Sequence, residues 1–285
     1  MIEIIDANEE MLEGLIVFFK QYYNSEDQIC DIEYLKWLYL ENPAGLAKLV
    51  IAYQEGEIVG LTTLVPIDLS CRTENKTYFA VNVLVLEKCT NKMTFFLMLR
   101  KLLKFVKNKG SLLVGHPNAA AYPFWKRMKM DFIPVQYPHV VSSLNFTRDR
   151  VDRTLISNPS DFENFSFSSD ACSVNMTKSF YEWRFFGYNK GKYKVYLLHK
   201  NEKALGFYIV KKVKGIFNVV VDYKFHNDDM SMVKYAAIGT IFFIEEQFAV
   251  GGILKIPFIK TKLKPFLSEK GDIGKINLTL ACSDF

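Results

Sequence analysis

Apolar residues at Met11, Leu12, Leu15, Ile16 and Phe19 keep to one face of a helix, and Lys92–Asn108 carries the same spacing as far as Gly110. The pattern predicts amphipathic helices over Glu9–Tyr23 and Lys92–Asn108. Met1–Ala7 is predicted to be a strand. So are Lys48–Tyr53 and Ile58–Val65, joined at the turn signal Glu55-Gly56-Glu57, then Thr77–Leu86 and Leu112–Gly115. Asp31–Leu40 and Asn118–Met130 are the remaining helices of this half. Pro123 falls early in the latter, where a missing N–H is tolerated. Val140–Phe146 is expected to close the sheet.

The same order then returns. Thr177–Phe186 is predicted to be a helix, and Tyr193–His199 and Ala204–Lys211 a hairpin around Asn201-Glu202-Lys203. A strand at Phe217–Lys224, a long helix at Met230–Val250 and a strand at Ile253–Ile256 come next, with a short helix at Thr261–Ser268 and a last strand at Ile276–Ala281. The return extends to residue types. Trp37, Gly45 and Gly60 recur as Trp183, Gly191 and Gly206, each 146 positions later. Between them Tyr34 meets Phe180, Tyr39 meets Phe185, Lys48 meets Lys194 and Ile51 meets Leu197. One shared offset at these positions indicates a tandem duplication, with a period far longer than a solenoid repeat. The polar stretch Arg148–Pro159 reads as a linker between domains 1–148 and 160–285, each of ordinary domain size.

At 49% hydrophobic residues the chain is apolar enough to fill two cores and too apolar for disorder. A net charge of +5 without an arginine-rich tract lacks the basic stripe of a nucleic-acid binder and suits an anionic small ligand. Five widely spaced cysteines without a CxxC argue against a disulfide frame or a zinc knuckle. The start MIEIIDANEE has no secretory signal pattern, and the apolar run Tyr235–Ile244 is too short to span a bilayer. The expectation is a soluble, cytoplasmic protein with no membrane or nucleic-acid partner. Carboxylates are scattered without a metal-like cluster, and no GxGxxG, P-loop, HExxH or GxSxG motif occurs.

Four places hold candidate chemistry. Lys88, Thr90, Asn91, Lys92, Met93 and Thr94 lead from a strand into a helix, whose free N–H groups suit a pyrophosphate. The alternative is an ordinary turn with solvated lysines. His116 follows a buried strand and is of a type that exchanges protons near neutrality, although a lone histidine is more often structural. Asn82 interrupts the apolar run Phe79–Val85. A buried amide must find partners, here either the splayed neighbouring strand or a substrate hydroxyl. The segment Tyr34–Pro43 either lines an acceptor site or anchors its helix on the hairpin. Glu41 and Asn42 are replaced in the second copy by Gly187 and Tyr188, which makes them acceptor candidates. The second copy has Asp228-Asp229 at the phosphate position and no His-Pro-Asn segment, so it is not expected to bind an anionic cofactor.

Hairpin, long strand, helix, strand, helix, strand resembles the GNAT superfamily of N-acetyltransferases, twice over. The resemblance implies an α+β (mixed α/β) fold of two tandem domains, each a mixed, mostly antiparallel sheet flanked by helices. His116–Met130 is similar to the family segment Asn-x-x-Ala-x-x-x-Tyr-x-x-x-Gly-Phe. Asn118 falls on the Asn, Ala121 on the Ala, Trp125 on the Tyr and Lys129-Met130 on Gly-Phe. The glycines of the family's pyrophosphate loop are missing at residues 88–94.

The resemblance also implies a co-substrate, acetyl-CoA or a longer acyl-CoA, without a metal. By the same likeness it is held by the backbone of Val83, Leu84 and Val85, by Lys88, Thr90, Asn91, Lys92, Met93 and Thr94, and by Asn118 on the pantetheine arm. In such a reaction His116 is the candidate to accept the amine proton, Asn82 is a further catalytic candidate, and Tyr122 replaces the family tyrosine as proton donor to the thiolate. The tandem arrangement with a Trp-x-Tyr-x-x-Asn-Pro segment further resembles bacterial sugar N-acyltransferases. These act on nucleotide-linked (dTDP- or UDP-) amino-deoxysugars destined for surface polysaccharides. This implies substrate contacts from Trp37, Glu41 and Asn42, and leaves a homo-oligomer open. The rival reading is a non-catalytic tandem GNAT fold that binds nucleotide or CoA as a sensor or assembly partner. The missing glycines and Trp125 favour it; His116 and Asn118 oppose it.

Overall fold

A computed structural model describes residues 1–69, 72–86, 92–118, 120–132, 139–143, 151–162, 177–188, 191–201, 203–213, 217–226, 230–237, 240–244, 253–257 and 266–267. Strand β1 (Ile2–Asp6) leads into helix α1 (Glu9–Phe19). Asn8 caps that helix by accepting from the Met11 N–H at 3.2 Å, with Glu9 and Glu10 at its positive end. Its buried stripe is Leu12, Leu15, Phe18 and Phe19. Helix α2 (Ile32–Tyr39) starts at Asp31, whose carboxylate accepts from the Glu33 N–H at 3.0 Å. Strands β2 (Lys48–Gln54), β3 (Glu57–Leu69) and β4 (Arg72–Val85) come next, then α3 (Lys92–Asn108), β5 (Leu112–Gly115), α4 (Tyr122–Arg127), β6 (Asp131–Phe132), β7 (His139–Ser143) and β8 (Asp152–Ile156). Helix α5 (Lys178–Tyr181) continues into a π-helical turn at Glu182–Phe186. The remaining strands are β9 (Tyr193–Lys200), β10 (Lys203–Val213), β11 (Phe217–Phe225), β12 (Thr240–Ile244), β13 (Ile253–Pro257) and β14 (Phe266–Leu267).

The chain divides into two compact units. The first is Met1–Pro134, Cys172–Trp183 and Leu263–Ile276; the second is Val135–Ala171, Arg184–Lys262 and Asn277–Phe285. The first unit holds a seven-stranded sheet of order β1-β2-β3-β4-β5-β14-β6, and the second one of order β8-β9-β10-β11-β12-β7-β13. In each, one central pair is parallel, β4 with β5 and β11 with β12, and the other neighbours are antiparallel. The registers repeat as well: Gly60 faces Val85, and Gly206 faces Phe225. In the first unit α3 lays Met98, Leu99, Leu102 and Val106 on Val50, Ala52, Tyr78 and Leu113. In the second, Leu198, Tyr208, Val220, Val233 and Phe242 form the centre of the core.

The sixth strand of each sheet comes from the other half of the chain. Strand β7, expected to close the first sheet, pairs instead with β12 and β13. Strand β14 lies where a short helix is expected and pairs with β5 and β6. The expected linker carries β8, which pairs with β9 at the edge of the second sheet. The long helix expected over Met230–Val250 is also replaced. A 3-10 segment at Met230–Tyr235 gives way to β12, whose Thr240, Ile241, Phe242, Phe243 and Ile244 are β-branched and aromatic strand formers. A short apolar run has no period that separates buried strand from buried helix. The last expected strand, Ile276–Ala281, lies outside the described residues.

The duplicated landmarks have physical reasons. Trp37 and Trp183 stack at 4.9 Å with 20° between their planes. Each donates its indole N–H to the other's carbonyl, Trp37 Nε1 to Trp183 O at 2.7 Å and Trp183 Nε1 to Trp37 O at 2.8 Å. Tyr34 flanks the first indole at 5.5 Å as Phe180 flanks the second at 5.7 Å. Gly45 and Gly191 have φ of 119° and 86°, which side chains rarely adopt. A Cβ on Gly60 would stand 2.8 Å from Met98 Sδ, and one on Gly206 only 2.4 Å from Lys224 O. Trp37→Phe removes one of two reciprocal donors in a buried setting and should cost about 1–3 kcal/mol by urea unfolding. Trp183→Phe should cost a similar amount and the pair less than the sum, because both act on one contact. A Trp37→Phe protein as stable as the parent would deny the pair this weight.

Candidate active site

The site begins with a fault in strand pairing. Leu61 faces Leu84 and Thr63 faces Val81, so two steps along β3 match three along β4. The extra residue is a β-bulge, which bends its strand and re-aims side chains. Within it Asn82 has φ of 51°. Among the described residues it is the one non-glycine inside a strand with positive φ. Asparagine tolerates that conformation better than other side chains. Its Nδ2 donates to the Tyr39 hydroxyl at 2.8 Å, and Thr63 Oγ1 donates to the same hydroxyl at 3.1 Å. Tyr39 is fully buried, and burial pushes its phenol well above the ordinary value.

On its other side β4 pairs in parallel with β5 only from Thr77↔Leu112 to Ala80↔Gly115. Beyond that, Leu84 and Val85 keep β3 on one side, Val83 falls in the bulge, and none of the three has a described strand on the other. His116 leaves β5 at this opening. Its ring lies 5.6 Å from Phe79, and neither ring nitrogen has a hydrogen-bond partner among the described residues. Burial lowers its pKa from 6.5 to about 4, so the imidazole is neutral at pH 7. Asn118 is exposed, and its Oδ1 accepts from the Ala121 N–H at 2.8 Å ahead of α4. Tyr122, first in α4, sets its ring 4.7 Å from Phe132. Trp125 is 1% exposed in the core beside Met98, Leu99 and Leu102.

Of the phosphate candidates, Lys92, Met93 and Thr94 form the first turn of α3, with Met93 exposed. Lys88, Thr90 and Asn91 lie outside the described residues. A free strand edge, a buried imidazole with no partner among the described residues and a helix N-terminus just downstream fit a ligand that brings a carbonyl, an amide chain and phosphates. No group of three or more His, Cys, Asp or Glu among the described residues can hold a metal ion. No described helix is long and apolar enough to cross a membrane.

The acceptor candidates do not converge here. Trp37 is 2% exposed against Trp183, which leaves no indole face for a ligand. Asn42 is buried with both ends of its amide in use, Nδ2 donating to Pro66 O at 2.8 Å and Oδ1 accepting from Ala44 N–H at 3.0 Å. Glu41 is exposed. Tyr39 and Thr63 are not marked by the sequence pattern. The usable signal is the change of Tyr39 to Phe185, which leaves the ring and removes the hydroxyl.

Counted from the matched pairs Gly60↔Val85 and Gly206↔Phe225, Asp222 is the counterpart of Asn82. From Phe79↔Val114 and Val219↔Ile241, Phe243 is the counterpart of His116. The second copy thus keeps the strand order and replaces the amide, the imidazole and the phenol.

Residues 10–130 match the family described as Acetyltransferase (GNAT) family. The whole chain has a tandem GNAT fold. A conserved protein of unknown function from Enterococcus faecalis V583, called a probable N-acyltransferase, has a similar structure with a TM-score of 0.60 at 9% identity, covering 94% of this chain and 72% of that one. A GCN5-related N-acetyltransferase from Anabaena variabilis gives 0.62 at 10% identity over 94% and 72%. A tandem GNAT protein from the clavulanic acid biosynthesis pathway gives 0.54 at 8% identity over 95% and 100%. No curated protein matches the sequence.

Because its folded pKa lies below its unfolded one, His116 is protonated in the unfolded chain before the folded one. Its contribution to stability is complete above about pH 6.5 and is lost as pH falls toward 4, by about 3 kcal/mol in all. Urea midpoints at pH 7 and 4.5 should therefore fall further for the parent than for His116→Phe. Equal falls would mean that His116 is not buried as described.

Proposed function

We propose that the first copy is an N-acyltransferase that moves an acyl group from an acyl-CoA to a primary amine. The observation that carries this reading is the unpaired edge of β4 at Val83–Val85, opening beside a neutral His116 with no partner among the described residues. Backbone N–H groups along that edge hold the donor and stabilise the oxyanion that develops at the thioester carbon. Lys88, Thr90, Asn91, Lys92, Met93 and Thr94 take its pyrophosphate at the start of α3. Asn118 holds the pantetheine arm through its Nδ2, since its Oδ1 is engaged with Ala121.

With its pKa near 4, His116 is a weak base. Taking a proton from a free ammonium of pKa about 8 would cost about 5 kcal/mol. The role assigned is therefore to accept a hydrogen bond from the neutral amine. His116 takes the proton after the C–N bond forms and the nitrogen has become acidic. The C–S bond then breaks, and Tyr122 returns a proton to the thiolate.

The acceptor in this reading is a dTDP- or UDP-linked amino-deoxysugar. The net charge of +5 supports it, since a nucleotide diphosphate is anionic. Buried Trp37 and Asn42 lend it no support, and Glu41 remains as an exposed carboxylate suited to an ammonium. Thiol release from acetyl-CoA, measured against amino-sugar nucleotides, simple primary amines and an aminoglycoside, tests donor and acceptor together. Release with the sugar nucleotides alone is expected. His116→Ala should lower turnover by about tenfold to a hundredfold with donor binding unchanged. Acetyl-CoA binding without amine-dependent release from any acceptor would favour the non-catalytic tandem fold.

A further inference from the structure

We infer that the Tyr39 hydroxyl is a positioning group for the donor site, holding the β4 bulge so that the strand edge at Val83–Val85 faces the opening. The inference rests on the acyltransferase reading and extends it to a residue that touches neither substrate.

Asn82 sits immediately before that edge with φ of 51°, a conformation uncommon inside a strand even for asparagine and held here by its surroundings. The contact that does so is its Nδ2 bond to Tyr39 at 2.8 Å. The hydroxyl is gripped from β3 as well, by Thr63 Oγ1 at 3.1 Å, so three elements meet at one buried oxygen. Helix α2, which carries Tyr39, is fixed two residues earlier by the Trp37–Trp183 pair.

The second copy supplies the control. Phe185 at the equivalent position fills the same kind of space without a hydroxyl, so packing does not require one. That copy has an extra residue at the corresponding place, with Ile209 facing Asp222 and Val210 facing Val220. Asp222 does not have positive φ, and its own carboxylate accepts the Tyr223 N–H at 2.9 Å. A bulge therefore forms without the hydroxyl, whereas the left-handed residue occurs with it. A buried hydroxyl that made no bonds would destabilise the fold, so its presence at Tyr39 marks a use.

Tyr39→Phe, Asn82→Gly and the double variant test this, because glycine adopts positive φ without an anchor. Tyr39→Phe should raise the KM for acetyl-CoA about tenfold with kcat changed less than about threefold, the effect of one ordinary hydrogen bond on donor placement. Amide exchange at Leu84 and Leu86, which pair with β3, should speed up by about tenfold while Leu49–Ile51 in β2 stays as in the parent. In the Asn82→Gly background the same substitution should change neither quantity. Unchanged exchange at Leu84 and Leu86, or a rise spread evenly over the sheet with a lower Tm, overturns the inference and leaves Tyr39 as core. A parent protein that does not bind acetyl-CoA ends the acyltransferase reading instead. The exchange comparison then still decides whether Tyr39 holds the bulge.

Discussion

Strand β4 can serve two neighbours only as far as Ala80. Up to there it pairs with β3 and in parallel with β5; beyond it, the bulge at Asn82 turns the strand while β3 continues to hold it. A strand edge freed in the middle of a sheet would normally be a liability, since unpaired N–H and C=O groups seek partners. Here the free edge lies beside the one described histidine whose ring nitrogens are both buried without a partner among the described residues, and a few positions in sequence ahead of a 17-residue helix. These features converge because β5 stops at Gly115, and His116 is the first residue past its end.

The same low-dielectric surroundings that create the site set its chemistry. Burial keeps His116 neutral and weakly basic, which in the proposed acyl transfer removes the simplest role for a histidine, that of base toward an ammonium. A neutral imidazole can still orient an N–H and collect a proton once bond formation has made that proton acidic. Burial also keeps the Tyr39 phenol protonated and hydrogen-bonded, fit to fix geometry rather than to exchange protons.

The duplication persists where packing demands it and is lost at the candidate site. Trp37 and Trp183 are each other's hydrogen-bond partner, so neither can change without stranding groups of the other. Gly60 and Gly206 leave room that a Cβ would fill. At the positions of Asn82, His116 and Tyr39 the second copy has Asp222, Phe243 and Phe185. Aromatic residues at constant offset invite a ligand-stacking role. In this fold they stack on one another, since a large indole is worth more buried with its N–H satisfied than exposed.

The sequence by itself determined the helices α1, α2 and α3, the hairpin around Gly56, the strand run into Val85 and the doubling of that plan. Each is written in local spacing, caps and turn residues, and the offset of 146 is visible without any structure. It also marked Asn82 and His116 as residues out of keeping with their apolar neighbours. Tertiary structure alone decided that β7 completes the second sheet and β14 the first, because an apolar strand carries no label for its partner. It alone turned the apolar run near residue 240 into a strand, buried Trp37 and Asn42, and brought the Tyr39 hydroxyl to Asn82 across 43 residues. Those outcomes depend on which surfaces meet, and contact between distant segments leaves no periodic trace in the chain.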